Sequence, residues 1–189
     1  MSIKHAVITS VDRDDLPDQG TIIWTETVKA IRRMNPNTTL ETLIPDFQGR
    51  ADLLYRIVEV APEVVSNKME TVRRLTREVR IQAKYDRSLE ALKYLKEQGV
   101  HRTKSGLMLG LGETEEEVIA SMEDLRHAKV DIITLGQYLQ PSKKHLPVAD
   151  FITPEQFKKY DVLGKKMGFR HVESGALVRS SYKAHKHIE

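Results

Sequence analysis

The stretch TKSGLMLGLGETEEEV, residues 103–118, contains one complete strand-turn-helix unit. Residues 105–109 are largely apolar and predict a short buried strand, and the glycines that follow permit a tight turn. Thr114 and Glu117 form the pattern of a capping box, which predicts the start of a helix. A buried strand that leads through glycines into a capped helix is typical of an α/β fold with a parallel sheet.

The same alternation continues in both directions along the chain. Five further apolar runs predict strands, at residues 6–9, 39–44, 64–66, 131–135 and 172–178. Apolar residues at helical spacing predict helices within residues 22–31, 53–58, 89–95 and 118–125. Right-handed crossovers between such strands build either an incomplete (β/α) barrel or an open doubly wound sheet. We expect residues 1–189 to form a single domain.

Composition narrows the classes of function. The 30 Lys and Arg residues nearly balance the 27 Asp and Glu residues, so there is no sign of a nucleic-acid-binding surface. No apolar run approaches the roughly 20 residues of a membrane span, and no signal-peptide core is present, so we expect a soluble, cytoplasmic protein. The chain contains no cysteine, which excludes disulfides, thiolate metal sites and cysteine nucleophiles formed by this chain alone.

Polar residues follow the predicted strands at their carboxyl ends, where ligands bind in parallel α/β folds. Ser10 and Asp12 follow the first strand, and Asn67, Lys68 and Glu70 follow the third. Each of them is a candidate ligand contact, although any single one could be an ordinary loop residue.

The glycine-rich turn is a stronger candidate. Gly106, Gly110 and Gly112, followed by Glu113, would let the backbone approach a ligand beside a helix start. A tight turn without a ligand would use the same residues.

Lysine and histidine residues offer weaker signals. A buried Lys104 could be a Schiff-base lysine of an aldolase-like barrel, but a surface lysine is the commoner case. We expect His185 and His187 to lie in a solvated tail, because no carboxylate or third histidine is grouped with them.

In order and spacing, six stretches resemble the later part of the lipoyl synthases: VITSVDRDDLPDQG, TLETLIPDFQG, METV, TKSGLMLGLGETEEEV, DIITLGQYLQPSKKHLPV and SGALVRSSY. Lipoyl synthases are radical S-adenosylmethionine (SAM) enzymes that insert two sulfur atoms, at C6 and C8, into an octanoyl chain carried on a protein lysine. The resemblance implies a partial (β/α)6 TIM-like barrel of the radical SAM type, without its first strand and helix. It also implies SAM and two [4Fe-4S] clusters as cofactors, and an octanoylated lipoyl carrier protein as partner, with no nucleic acid or membrane involved.

The resemblance also implies roles for single residues. Ser180, the first serine of RSSY, would be a ligand of the auxiliary [4Fe-4S] cluster, and Arg179 would help to order that site. The cofactor-binding residues implied are Ser10, Asp12, Glu70, Gly106, Met108, Gly110, Gly112 and Glu113. The polar cluster at Arg179 and Ser180 is expected where the last strand delivers it to the barrel mouth.

Three departures from the family pattern are visible. Asn67 and Lys68 replace the usual His-Asn, and Lys68 would add a positive charge near the SAM sulfonium unless a carboxylate offsets it. Ala176 replaces a proline. Both cysteine motifs are absent, so we expect a carboxyl-terminal segment, inactive by itself, whose cysteines precede residue 1. Two alternatives remain open, a cysteine-free binding module for the carrier or SAM and an aldolase that uses Lys104.

Overall fold

Six parallel strands form the centre of the structure, a computed structural model that describes residues 3–80 and 82–188. The strands are His5–Thr9 (β1), Thr39–Leu43 (β2), Val64–Ser66 (β3), Arg102–Leu109 (β4), Ile132–Gln137 (β5) and His171–Ser174 (β6). They lie in the order β1 to β6, and each pairs in parallel with the next. This order confirms the predicted parallel α/β fold.

Helices connect these strands. Within the described ranges the α-helices are Thr21–Met34 (α1), Ala51–Glu59 (α2), Thr76–Val79 (α3), Tyr85–Glu97 (α4), Glu115–His127 (α5) and Pro154–Lys166 (α6). A 3₁₀ helix, Ala184–Ile188, lies near the end of the chain. No described helix has both the length and the apolar character needed to cross a membrane. The sequence periodicity did not predict α6. Few residues of this helix are buried, and they are separated by lysines and other polar residues, so its apolar pattern is weak.

Helix starts follow local chemistry. The Thr114 hydroxyl accepts from the Glu117 amide at 3.3 Å, and the Glu117 carboxylate accepts from the Thr114 amide at 2.9 Å, so the predicted capping box of α5 is confirmed. Thr153 caps α6 by accepting from the Gln156 amide at 3.2 Å.

The core lies between the sheet and the helices. Trp24 and Val28 of α1 are buried, whereas Ile22 and Ile23 of the same helix are 56% and 63% exposed. The largest apolar cluster joins β4 and β5 to α5 and α6. Burial of this apolar surface supplies the main driving force that holds the helices on the sheet.

The sheet is curved, and polar side chains meet inside the curve. Glu41 of β2 contacts Lys104 of β4 across the intervening strand β3. In the described ranges β1 and β6 each pair on one side only. The 3₁₀ helix Ala184–Ile188 contacts β1. The C-terminal segment, residues 175–188, therefore extends from the β6 edge to the β1 edge.

The last strand is shorter than predicted. The sequence favoured a strand over residues 172–178, but β6 ends at Ser174. The Gly175 amide donates to the Leu135 carbonyl at 3.0 Å, and the chain then turns back with a bond from the Val178 amide to the Gly175 carbonyl at 3.0 Å. The chain turns here because it crosses β5 at Gly136, where a Cβ would lie 2.3 Å from the Val178 carbonyl oxygen.

Candidate functional site

A cleft of about 600 Å³ opens at the carboxyl ends of β1, β2 and β3. We call it the strand-end cleft. Its polar lining residues are Thr9, Ser10, Asp12, Asn67, Lys68, Glu70, Arg80, Gln82 and His145. The structure therefore brings together the residues that the sequence placed after the first and third strands.

Lys68 and Glu70 neutralise each other in this cleft. The Lys68 Nζ lies 2.8 Å from a Glu70 carboxylate oxygen, and both side chains are largely buried. Lys68 departs from the family pattern, and its charge raised the question of repulsion against a sulfonium. Because Glu70 offsets that charge, the cleft floor does not present an isolated cation.

Glu70 adopts a rare backbone conformation, with φ at 68°. Its amide donates to the Gly106 carbonyl at 2.9 Å, and its carbonyl accepts from the Met108 amide at 2.7 Å. These two bonds attach the residue to β4 and hold it in the left-handed region. Backbone strain of this kind is frequent at functional sites, where the surrounding structure fixes one side chain in place.

Asn67 has an unused acceptor. Its Nδ2 donates to the Ile44 carbonyl at 3.0 Å, which fixes the orientation of the amide. Its buried Oδ1 has no hydrogen-bond partner among the described residues. A buried acceptor without a partner is costly, so an acceptor on a cleft wall is suited to a ligand donor.

Asp12 and Arg80 place opposite charges on the rim of the cleft. Partial desolvation raises the pKa of Asp12, and the nearby carboxylates of Asp14 and Asp46 raise it further. Arg80 donates to the Met69 carbonyl and to the Ser88 hydroxyl, both at 3.1 Å. These bonds hold the guanidinium, which leaves further N–H donors for an anionic group.

The glycine-rich turn does not line the cleft. None of Gly106, Met108, Gly110, Gly112 and Glu113 is among its lining residues. Glu113 accepts from the amides of Gly110 at 2.5 Å and Leu111 at 2.9 Å, so its carboxylate stabilises the turn itself. Their proposed contact with the cofactor therefore remains a prediction, and in the structure these residues support β4, to which Glu70 is attached.

Packing explains two of these glycines without a ligand. A Cβ at Gly106 would lie 2.2 Å from the Thr134 hydroxyl oxygen, and one at Gly110 would lie 2.3 Å from the Asp150 carbonyl oxygen. Neither distance is compatible with a side chain.

Arg179 and Ser180 do not line the strand-end cleft. Arg179 is exposed, and its guanidinium donates to the carbonyl of the preceding residue, Val178, at 2.7 Å. The Ser180 carbonyl accepts from the Lys104 Nζ at 2.5 Å. Its hydroxyl makes no hydrogen bond within the described part of the chain. Ser180 thus lies inside the curve of the sheet, and the crossing at Gly136 delivers it there instead of the end of a strand.

Lys104 is buried, so the interpretation of a surface lysine was wrong. Its Nζ lies 2.9 Å from each carboxylate oxygen of Glu41, and the two side chains are 1% and 0% exposed. Burial lowers the pKa of Lys104, whereas the Glu41 carboxylate raises it. Glu41 also accepts from the Ser66 hydroxyl at 2.5 Å.

The prediction of a solvated tail is confirmed for His185 and wrong for His187. His185 is exposed, but His187 is completely buried, with Nδ1 3.3 Å from the Lys104 Nζ. Burial, together with the nearby Lys104 ammonium, lowers the pKa of His187 to about 3. The ring is therefore neutral, and Nδ1 accepts from the ammonium.

All three donors of the Lys104 ammonium are used, by Glu41, Ser180 and His187. A Schiff-base lysine needs a free amine that a carbonyl substrate can reach. These contacts give the aldolase alternative no support.

Sequence reasoning missed Arg80, His145 and Glu41. His145 lies in the stretch 140–147, whose prolines predict a loop over one rim of the sheet, but that pattern gave His145 no role in a site. Glu41 is a charged residue in the middle of an apolar strand, which is itself a signal of a buried partner. Arg80 has no comparable signal.

Comparison with known proteins assigns this arrangement to a family. A family model of the Radical SAM superfamily matches residues 1–125. The mitochondrial lipoyl synthase of Nematostella vectensis is 77% identical over 188 residues, which are 100% of this chain and 65% of the relative. The lipoyl synthase of Flavobacterium psychrophilum is 78% identical over 188 residues, with 100% and 65% covered. That of Porphyromonas gingivalis is 55% identical, with 100% and 67% covered.

Solved structures agree on the fold. HydG, a maturase of the [FeFe]-hydrogenase, gives a TM-score of 0.72 at 15% identity, over 98% of this chain and 44% of its own. Methylornithine synthase (PylB) gives 0.65 at 18% identity, over 94% and 59%. This chain spans about 65% of the length of the Nematostella and Flavobacterium relatives. With a superfamily model over residues 1–125 and close relatives over its whole length, the chain belongs to the lipoyl synthase family of the radical SAM superfamily.

Proposed function

We propose that this chain forms the SAM-binding and substrate-facing part of a lipoyl synthase. The reaction would insert two sulfur atoms, at C6 and C8, into an octanoyl-lysine of a lipoyl carrier protein. The observation that carries this proposal is the strand-end cleft, where Asp12, Glu70 and the unpaired Asn67 acceptor converge.

The polar groups of the cleft fit SAM. The cofactor carries a positive sulfonium, a positive ammonium group and a carboxylate. Asp12 and the Asn67 Oδ1 would accept from the ammonium, and Arg80 would donate to the carboxylate. The Lys68–Glu70 pair would keep the floor near neutral under the sulfonium. When bound, SAM supplies the radical that abstracts hydrogen, and the side chains of this chain bind and orient it.

The two clusters do not fit this chain alone. A [4Fe-4S] cluster is held by cysteine thiolates, and the 189 residues contain none. Ser180 would supply one oxygen ligand to the auxiliary cluster, and its hydroxyl is free for that role within the described residues. The chain by itself would therefore not insert sulfur.

Calorimetric titration with SAM tests the binding role. We expect the chain to bind SAM, and Asp12→Asn and Glu70→Gln each to weaken binding by about 10-fold or more. The first change removes a charged partner of the ammonium, and the second leaves the Lys68 charge without its partner. Glu59→Gln, at the exposed end of α2, is the matched control and should bind like the unchanged chain. Absence of heat, or equal affinity in all four proteins, would contradict the proposal.

A chimera tests the reaction. The part of the Flavobacterium psychrophilum relative that lies outside its match would be joined to this chain. We expect the chimera to add two sulfur atoms to an octanoylated lipoyl domain, as measured by mass spectrometry. Sulfur insertion should fall strongly in Ser180→Ala and remain in Glu59→Gln.

The second candidate, a binding module without chemistry, is favoured by a polar cleft in a chain without thiolates. SAM binding in a chimera that inserts no sulfur would support this candidate over the first.

A further inference from the structure

The route of the C-terminal segment ends on a buried charge. After Gly175 the chain crosses β5 at Gly136 and enters the interior of the curved sheet. There the Ser180 carbonyl meets the Lys104 Nζ at 2.5 Å, and His187 meets it at 3.3 Å. Two points seven residues apart along the segment are thus held by one ammonium group.

Glu41 fixes that ammonium group. Its two carboxylate oxygens each lie 2.9 Å from the Lys104 Nζ. Glu41 is itself held by the Ser66 hydroxyl at 2.5 Å. Strands β2, β3 and β4 each contribute one of these residues, so the position of the ammonium is set by the sheet and not by the C-terminal segment.

Lys104 and the segment depend on each other. A buried ammonium needs all its donors satisfied, and Glu41 alone leaves donors that only the Ser180 carbonyl and His187 fill. The neighbouring Arg179, among the described residues, donates only to carbonyls of its own turn. The bond to Lys104 therefore adds a direct hydrogen bond with the sheet to the packing of Val178 against Gly136.

Ser180 carries both a carbonyl that is held in place and a hydroxyl without a partner among the described residues. The Ser180 carbonyl is held by Lys104, while the Ser180 hydroxyl has no partner in the described ranges. Fixing the carbonyl restricts the Cα position and so restricts where the hydroxyl can point. This arrangement leaves the hydroxyl available for a partner outside this chain.

We propose that Lys104, held by Glu41, is a positioning residue that sets the place of the Ser180 hydroxyl as a ligand of the auxiliary cluster. This inference rests on the proposed function, in which Ser180 is that ligand. Lys104 would contact neither the cluster nor the substrate and would act through the Ser180 backbone.

Hydrogen exchange of the unextended chain tests the anchoring directly. In Lys104→Met we expect the amides of residues 176–188 to exchange about 10-fold faster or more, while those of β4 and α5 stay protected. Lys96→Met is the matched control, because Lys96 pairs with Asp131 elsewhere and does not contact the segment. Unchanged exchange over residues 176–188 would overturn the proposal.

A double variant keeps the test valid if Lys104→Met fails to fold. Lys104→Met with Glu41→Leu removes both buried charges, and such replacements often preserve the fold. The segment should still exchange faster in this protein, because the anchoring donor is gone. Protection equal to that of the unchanged chain would contradict the anchoring role.

The spectrum of the auxiliary cluster separates positioning from mere stability. In the chimera we expect Ser180→Ala and Lys104→Met both to alter the Mössbauer signature of the cluster's unique iron, and Lys104→Arg to restore much of it. A change in Ser180→Ala without one in Lys104→Met would overturn the positioning role and leave the ligand role standing. An unchanged spectrum in Ser180→Ala would overturn the ligand role and this inference with it, while SAM binding would be judged separately by titration.

Discussion

Acid should destabilise this fold through one buried imidazole. His187 is completely buried, and burial, followed by the charges of Lys104, His171, His5 and His185, lowers its pKa to about 3 from the ordinary 6.5. In the unfolded chain the ring would regain its ordinary pKa. The unfolded state therefore takes up this proton first, and the stability is lost as the pH falls through 6.5 towards 3.

The magnitude follows from that interval. At about pH 5 the unfolded ring lies about 1.5 pH units below its pKa, while the folded ring stays neutral. At about 1.36 kcal/mol per unit, the free energy of unfolding falls by about 2 kcal/mol between about pH 8 and pH 5 from this group alone. The main cause of this loss is burial of the ring, which disfavours its charged form, and the Lys104 ammonium 3.3 Å away adds to it.

Urea unfolding at a series of pH values measures this loss. His187→Gln keeps an acceptor for Lys104 but cannot titrate, so its free energy of unfolding should fall by about 2 kcal/mol less than that of the unchanged chain over the same range. His127→Gln, at the exposed end of α5, should keep the profile of the unchanged chain. Parallel pH profiles for the unchanged chain and His187→Gln would refute the reasoning.

Two further predictions concern the glycine-rich unit. Gly106→Ala should lower the free energy of unfolding by about 1–3 kcal/mol, because the new Cβ would lie 2.2 Å from the Thr134 hydroxyl oxygen. Adding Thr134→Ala to this variant should recover only part of the lost stability, since the Thr134 carbonyl oxygen would still lie 2.9 Å from the Cβ. Urea unfolding that shows no loss would mean that β4 and β5 separate freely at this point. Thr114→Ala should cost about 1 kcal/mol through loss of the capping box of α5. A thermal midpoint equal to that of the unchanged chain would show that other contacts hold the start of the helix.

The residues of the strand-end cleft were predictable because they come soon after predicted strands in the sequence. Ser10, Asp12 and Glu70 all come after a strand, and parallel strands bring their carboxyl ends to one edge. Knowing where each strand stops is enough to group them. The same reasoning could not find Arg80 or His145, which reach the cleft from a helix end and a distant loop.

The C-terminal segment was only partly predictable. Its sequence favoured a strand leading to Arg179 and Ser180, whereas the chain leaves the sheet at Gly175 and crosses β5. The reason lies at Gly136 on another strand, whose missing side chain makes room for the crossing. Nothing in the local pattern of residues 172–178 could indicate that gap.

By itself, the sequence determined the parallel α/β class, the capped start of α5 and the family, because these depend on periodicity, on local capping chemistry and on motifs in order along the chain. Tertiary structure alone decided which charges are buried. Lys104 resembles a surface lysine and His187 part of a tail until the curved sheet brings Glu41 and the Ser180 carbonyl to the same ammonium. Glu41, Ser180 and His187 lie 63, 76 and 83 residues from Lys104 along the chain, so no short-range pattern could reveal a site that exists only when the sheet curves around it.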